Sequence, residues 1–256
     1  MKIPEIINLA TRKSPLALVQ AELVRQKLLA TFPEITINIV AMNTSGDANV
    51  NVSLAEIGGK GLFTKELEAG LLERSIDIAV HSLKDMETSL PSGLIIAAVL
   101  EREDERDAII APEAKTIMNL KKNANIGTSS VRRVAQLKIM RPDLNITPLR
   151  GNINTRIAKL GNGLDGIMLA FAGLKRLGIE GNATEILDKR EFIPAVGQGI
   201  IAIECKEDNE IIRNILAVIN HEPSFIAAKA ERAMLARLDG SCRTPIAGNA
   251  ICERGF

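Results

Sequence analysis

Five arginines, Arg12, Arg132, Arg133, Arg150 and Arg156, stand beside Ser, Thr or Gly where apolar runs give way to turns. A guanidinium is a planar fork that grips carboxylate or phosphate with two hydrogen bonds. Their shared chemistry is recognition of a polyanionic small molecule, although any single one of them reads more readily as a solvated surface group. Gly127 before Thr128 and Gly151 after Arg150 let backbone approach a ligand closely. Lys84 and Asp85 follow the apolar run Ile76 to Val80. A carboxylate there, near arginines, suits proton transfer or stabilisation of a developing cation. On that segment alone, a surface ion pair is the other reading. Cys242 lies in Asp239-Gly240-Ser241-Cys242-Arg243-Thr244-Pro245, where a neighbouring guanidinium favours the thiolate. It is a nucleophile or attachment point, or else a bystander loop thiol. Cys205 ends an apolar run and reads as inert core. His81 and His221 lack neighbours at metal-ligand spacing, so both read as structural and no metal site is expected.

Gly58-Gly59-Lys60-Gly61 lacks the Ser or Thr after Lys that a nucleotide-binding loop requires. It is either a flexible loop closing over a site or an ordinary turn before a helix.

The elements that must position these residues alternate between two periods. Ile6 to Ala10 reads as a buried strand, and Ser14-Pro15 opens a helix as N-cap and first helical residue. A strand is expected over 35–42, a helix over 62–74, a strand over 76–80 and a further helix over 222–238. Alternating strands and helices predict mostly parallel sheet with helices on its faces. A strand–turn–helix–strand unit around Ala10-Thr11-Arg12-Lys13-Ser14 recurs around Gly127-Thr128-Ser129-Ser130. That repetition predicts two α/β domains of similar build facing a common cleft. The charged segment Glu101 to Arg106 is the expected first crossing between them, and Gly197-Gln198-Gly199 the return. The apolar run from Ile200 would then complete the first sheet.

Composition narrows the classes. In 256 residues there are 32 Lys and Arg against 31 Asp and Glu, with no Trp or Tyr and six Phe. Neither a general pull toward nucleic acid or membrane nor a base-stacking platform follows from such a chain. No run approaches the ~18 apolar residues of a membrane span, and the first residues lack a secretory apolar stretch. Three unpaired cysteines suit a reducing compartment. The expectation is a cytoplasmic monomer that binds a small molecule.

Taken together the motifs closely resemble the porphobilinogen deaminase (hydroxymethylbilane synthase) family. The likeness runs from Ala10-Thr11-Arg12-Lys13-Ser14-Pro15 through Gly59-Lys60-Gly61-Leu62-Phe63, His81-Ser82-Leu83-Lys84-Asp85 and Thr128-Ser129-Ser130-Val131-Arg132-Arg133. It continues through Leu149-Arg150-Gly151-Asn152, Gly173-Leu174-Lys175-Arg176, Val196-Gly197-Gln198-Gly199 and Ala230-Glu231-Arg232 to Gly240-Ser241-Cys242. It implies a transferase of tetrapyrrole and haem biosynthesis that joins four porphobilinogens head to tail with loss of ammonia. It also implies a dipyrromethane cofactor held by a thioether to Cys242. The implied fold is α/β, with two domains like type II periplasmic binding proteins around a cleft and a small, incomplete α/β third domain. The boundaries expected are 1–101 with 197–219, then 102–196, then 220–256. By the resemblance, Arg12, Ser14, Lys84, Thr128, Ser130, Arg132, Arg133, Arg150, Arg156, Arg176 and Gln198 bind cofactor or substrate. Asp85 would be catalytic, and Lys60 and Phe63 would belong to a mobile loop. Where the family usually has Val-Pro, Met86-Glu87 follow Asp85, and Glu56 replaces a basic residue of some relatives. Relatives extend beyond Phe256, so the apolar side of helix 222–238, with Phe225, Ile226, Met234 and Leu235, is expected to be partly uncovered. The alternative to the enzyme is a non-catalytic anion-binding protein on the same fold.

Overall fold

The computed structural model describes residues 3–48, 61–241 and 244–252. The expectations for Glu56, Lys60 and Cys242 lie outside the described residues. Strands β1 (Ile6–Arg12), β2 (Thr36–Met42), β3 (Ile78–Ser82), β4 (Leu94–Val99) and β10 (Ile201–Lys206) form one sheet in the order β2-β1-β3-β10-β4. Strands β5 (Asp107–Ile110), β6 (Asn125–Gly127), β7 (Asn145–Thr147), β8 (Gly166–Ala170) and β9 (Glu185–Ile186) form the other, β7-β6-β8-β5-β9. The two orders are the same path traced twice. In each, a strand, helix and parallel strand (β1 with β2, β6 with β7) form one edge of the sheet.

Alternate residues of the strands serve opposite faces. In the first sheet Ile7, Leu9, Ile78, Val80, Ile201 and Ile203 pack against helix α1 (Pro15–Thr31) through Ala21, Val24 and Leu28. The other face, Ala10 and Ala79, is covered by Leu67 and Leu71 of α2 (Lys65–Leu72). In the second sheet Ile109, Ile126 and Met168 bury Leu137 of α3 (Val131–Met140). On its far face, Ile110, Ile167 and Leu169 meet Phe171 and Leu174 of α5 (Phe171–Arg176), beyond the short helix α4 (Ile153–Ile157). Ser14 does cap α1, its Oγ accepting from the Ala17 amide at 3.3 Å with Pro15 next.

Two expectations need correction. The sheets are mixed rather than mostly parallel: β10 is antiparallel to β3 and β4, and β5 to β8 and β9. Both are the strands on which the chain arrives from the other unit, so they run against their neighbours. The helix expected over 62–74 begins only at Lys65, because Gly61 at φ +70° starts a turn. It stops at Leu72, close to Arg74 at φ 60°.

Behind the crossings, α6 (Glu210–Ile219) packs on the first core, and α7 (Glu222–Arg237) lies against Leu83, Met86 and Ile200 through Ala228 and Phe225. Leu235 is buried, whereas Ile226 and Met234 stand exposed. Glu231 ties α7 to both crossings: it pairs with Arg102 at 2.5 Å and accepts from the Gly197 amide at 2.6 Å.

Gly199 sits at φ +86°, in the left-handed region, and any Cβ there would collide with the Glu103 carbonyl. Gly199→Ala is therefore expected to destabilise the protein by about 1–3 kcal/mol from backbone strain, with the clash in addition. Urea denaturation measures this, and an unchanged midpoint would show that the crossing adapts freely.

Candidate active site

In both sheets the residues of interest gather at the C-terminal ends of parallel strands, the usual ligand region of open α/β sheets. Arg12 ends β1, and its guanidinium lies 4.2 Å from the Phe63 ring centroid. Ser14, Phe63, His81 and Asp85 join Arg12 around a small pocket of roughly 60 Å³. Gln20 lines it as well, and its Nε2 donates to Ser82 Oγ at 2.8 Å. Lys84 and Asp85 project from a single 3-10 turn after β3.

Across the cleft, β6 runs into Thr128, and Ser130 caps α3 by accepting from the Arg133 amide at 3.4 Å. Arg132 and Arg133 are both buried. What holds them is Asp107, which opens β5 and is wholly buried. Arg132 Nη1 donates to its Oδ2 at 2.7 Å, and Arg133 Nε and Nη2 donate to Oδ1 at 2.9 and 2.7 Å. Burial alone would raise the Asp107 pKa, but the charges of Arg133 and Arg132 hold it below the ordinary carboxylate value. Arg132 also donates to the Ile193 carbonyl at 2.7 Å, while its buried Nε has no partner among the described residues.

The two walls act on one another. Burial lowers the Arg156 pKa to about 10, with Arg133, Arg150 and Arg12 pushing the same way and Asp85 opposing. Burial likewise lowers Lys84 to about 8, opposed by Asp85 and Asp107 and reinforced by Arg133 and Arg132. Arg156 Nε donates to the Gly151 carbonyl at 2.7 Å, where Gly151 at φ +110° turns the chain after Arg150. Arg12, Lys84, Asp85, Arg132, Arg133, Arg150 and Arg156 thus share one electrostatic neighbourhood. Arg176 is set differently, its Nη2 donating to the Gly199 carbonyl of the crossing at 2.6 Å. Gln198 is 1% exposed, with its amide used by the chain itself.

Such a set of donors suits a ligand with several carboxylates. The same residues fit a dipyrromethane, whose side chains are acidic. Asp107 escaped the sequence analysis because it follows directly on the acidic crossing; its signal was an acid opening the apolar run Ala108-Ile109-Ile110. Glu87, the departure from the family pattern, accepts from the Gly61 amide at 3.1 Å and so fixes the turn before α2. Cys205 is core as expected, its thiol pushed up to about 12 by burial. His81 is buried with Nε2 3.1 Å from Glu204 Oε2.

Residues 7–214 match the family described as porphobilinogen deaminase, dipyromethane cofactor binding domain, and residues 225–255 match the porphobilinogen deaminase C-terminal domain. The porphobilinogen deaminase of Syntrophomonas wolfei subsp. wolfei is 48% identical over 250 residues, which is 97% of this chain and 82% of that protein. Among solved structures, the methionine-binding protein MetQ superposes with a TM-score of 0.52 at 12% identity, over 98% of this chain and all of its own. A periplasmic substrate-binding protein of an ABC transporter from Coxiella burnetii gives 0.51 at 13% identity, over 88% of this chain and 96% of its own. At such identities the likeness is one of fold: two α/β units around a cleft.

Asp107→Asn leaves two buried guanidinium groups without their countercharge, which is expected to cost about 3–5 kcal/mol. Urea unfolding near neutral pH checks it; a loss below 1 kcal/mol would mean that backbone carbonyls alone hold the two arginines.

Proposed function

The chain belongs to the porphobilinogen deaminase family and joins four porphobilinogens head to tail into hydroxymethylbilane; we propose how its residues divide that work. Each porphobilinogen brings an acetate and a propionate, so carboxylates accumulate in the cleft as the product grows. Arg12, Lys84, Arg132, Arg133, Arg150 and Arg156, with the hydroxyls of Ser14, Thr128 and Ser130, bind those acids. When bound through Cys242, the dipyrromethane supplies the pyrrole carbon to which the first unit is joined.

Asp85 carries the chemistry. Loss of ammonia from the aminomethyl group leaves a pyrrole-stabilised cation, which arginines alone would destabilise. A carboxylate beside it offers the opposite charge and an acceptor for the pyrrole N–H. The attacking pyrrole carbon then gives up its proton, and the departed ammonia is the base that finally holds it. The observation that supports this most directly is Asp85 set among cations with no ion pair of its own among the described residues. A protein that merely bound carboxylates would be weakened by a carboxylate there.

No helix among the described residues is long and apolar enough to cross a membrane. The free cysteines Cys205 and Cys252 fit a reducing compartment, and we place the protein in the cytoplasm.

Intact-protein mass spectrometry of chain purified from porphobilinogen-producing cells is expected to show two linked pyrroles on Cys242. An unmodified mass, or an adduct on Cys205 or Cys252, would overturn the attachment. Asp85→Asn keeps size and hydrogen bonding but not charge, and turnover is expected to fall by about 10²-fold or more. Near-normal turnover in that variant would remove Asp85 from the mechanism.

A further inference from the structure

Gln198 lies on the return crossing between two glycines, Gly197 at φ +73° and Gly199 at φ +86°. These left-handed turns direct its side chain inward, between the two walls of the cleft. Its Oε1 accepts from Lys84 Nζ at 3.3 Å. Its Nε2 donates to the Glu105 carbonyl at 2.7 Å and to Asp107 Oδ1 at 3.2 Å. Its backbone carbonyl accepts from Arg102 Nε at 2.9 Å. The amide can face only one way. An ammonium has hydrogens to give and nothing to accept with, whereas a carbonyl and a carboxylate can only accept. One planar group therefore joins the cation beside Asp85 on one wall to the carboxylate that orients Arg132 and Arg133 on the other.

We propose that Gln198 is a positioning residue: a bracket at the hinge that fixes Lys84 of one cleft wall relative to the Asp107–Arg132–Arg133 cluster of the other, and sustains the charge on Lys84. This rests on Lys84 being a cation of the cleft, as argued above. No cleft ligand is needed for the bracket, since every atom of the Gln198 amide is matched within the chain. Its advantage is geometric. The two walls belong to separate sheets joined by two strands of chain, and a ligand with several carboxylates is gripped well only if the cations on both walls are correctly spaced.

The groups facing the Lys84 ammonium are Asp85, Asp107, Arg132 and Arg133, with the Gln198 oxygen in direct contact. Two arginines and burial favour the neutral amine; the two carboxylates and the amide oxygen favour the charge. Removing that oxygen tips the balance further toward the neutral form, and replacing it with a carboxylate tips it back.

The test reads Lys84 directly, without substrate or turnover. The full-length protein is treated briefly with a lysine-selective acylating reagent across pH 6.5–9.5, and Lys84 labelling is quantified by peptide mass spectrometry. Only the neutral amine reacts. In Gln198→Met, labelling of Lys84 at pH 7 is expected to rise about threefold relative to other lysines, the equivalent of a half-unit fall in pKa. In Gln198→Glu it is expected to fall below that of the unaltered protein. Equal labelling in all three proteins, each folded by circular dichroism, would overturn the proposal. Should either variant fail to fold, the unaltered protein decides. Its Gln198 side-chain amide signals in ¹⁵N NMR are expected to shift with the Lys84 midpoint near pH 8, and to lose that step in Lys84→Met; flat signals would overturn the bracket. Because no readout uses activity, a negative result leaves the assignment of the reaction standing, and loss of turnover in Asp85→Asn leaves the bracket standing.

Discussion

The buried carboxylate of Asp107 is the interaction on which the rest of this architecture depends. A cleft built to collect acids must first assemble like charges in the absence of any acid. Arg132, Arg133, Arg150, Arg156, Arg12 and Lys84 act on one another through low-dielectric surroundings. Asp107 pairs with two of them at 2.7 Å, and the carbonyls of Ile193 and Met168 take further donors from those same arginines. Two buried guanidinium groups on one carboxylate remain net positive, so the cluster attracts anions while being held in place. Desolvation of all three groups costs several kcal/mol each, and only excellent geometry offsets it. The arginines are therefore oriented before a ligand arrives, which is the condition for gripping a flexible polyacid tightly.

Topology puts that cluster at the cleft. Both sheets follow one path, and each lends a strand to the chain's passage between units, β10 to the first and β5 to the second. Asp107 is the first residue of β5, immediately after the first crossing, and Gln198 lies on the second, just before β10. Electrostatic order and hinge thus occupy the same few residues. Ion pairs crowd there as well: Arg102 with Glu231, Lys175 with Glu103 and Lys189 with Glu105. The exposed members of that set contribute little individually, whereas Glu231, 3% exposed, also accepts from the Gly197 and Ala250 amides. It fastens the hinge to α7 and to the segment around Ala250.

Much of this was legible in the sequence where one residue type has one structural use. Ser14-Pro15 marked a helix start because a hydroxyl and an absent amide both suit that place. The repeated strand–turn–helix order around Arg12 and around Thr128 revealed two units of one design. The sense of β5 and β10 was not legible, since an apolar run reads alike in parallel and antiparallel pairing once both faces are buried. Nor was the inward commitment of Arg132 and Arg133. Their helix shows where they start, while their partner is set by an acid 25 and 26 residues away. The family likeness brought Gln198 to notice, but not its bonds to Lys84 and Asp107, because motif spacing carries no information on which way an amide faces. The Met86-Glu87 departure looked like an intrusion of charge. In the fold Met86 is core and the Glu87 carboxylate has taken up the Gly61 amide, while its carbonyl accepts from Arg232 at 2.8 Å.

The two carboxylates of the cleft, Asp85 and Asp107, show how one residue type is given opposite tasks. Asp107 has both oxygens filled by guanidinium donors and no exposure, so it has nothing to offer a reacting molecule. Asp85 is half-buried on a short turn and has no ion pair among the described residues, although Arg156 and Lys84 both feel its charge. Its place on the short turn after β3 sets it in the lining of the pocket beside Arg12. A cation generated from a substrate whose acids are already held by arginines would otherwise meet only like charge. Having no ion pair among the described residues, rather than being a different residue type, is what leaves Asp85 available for that cation.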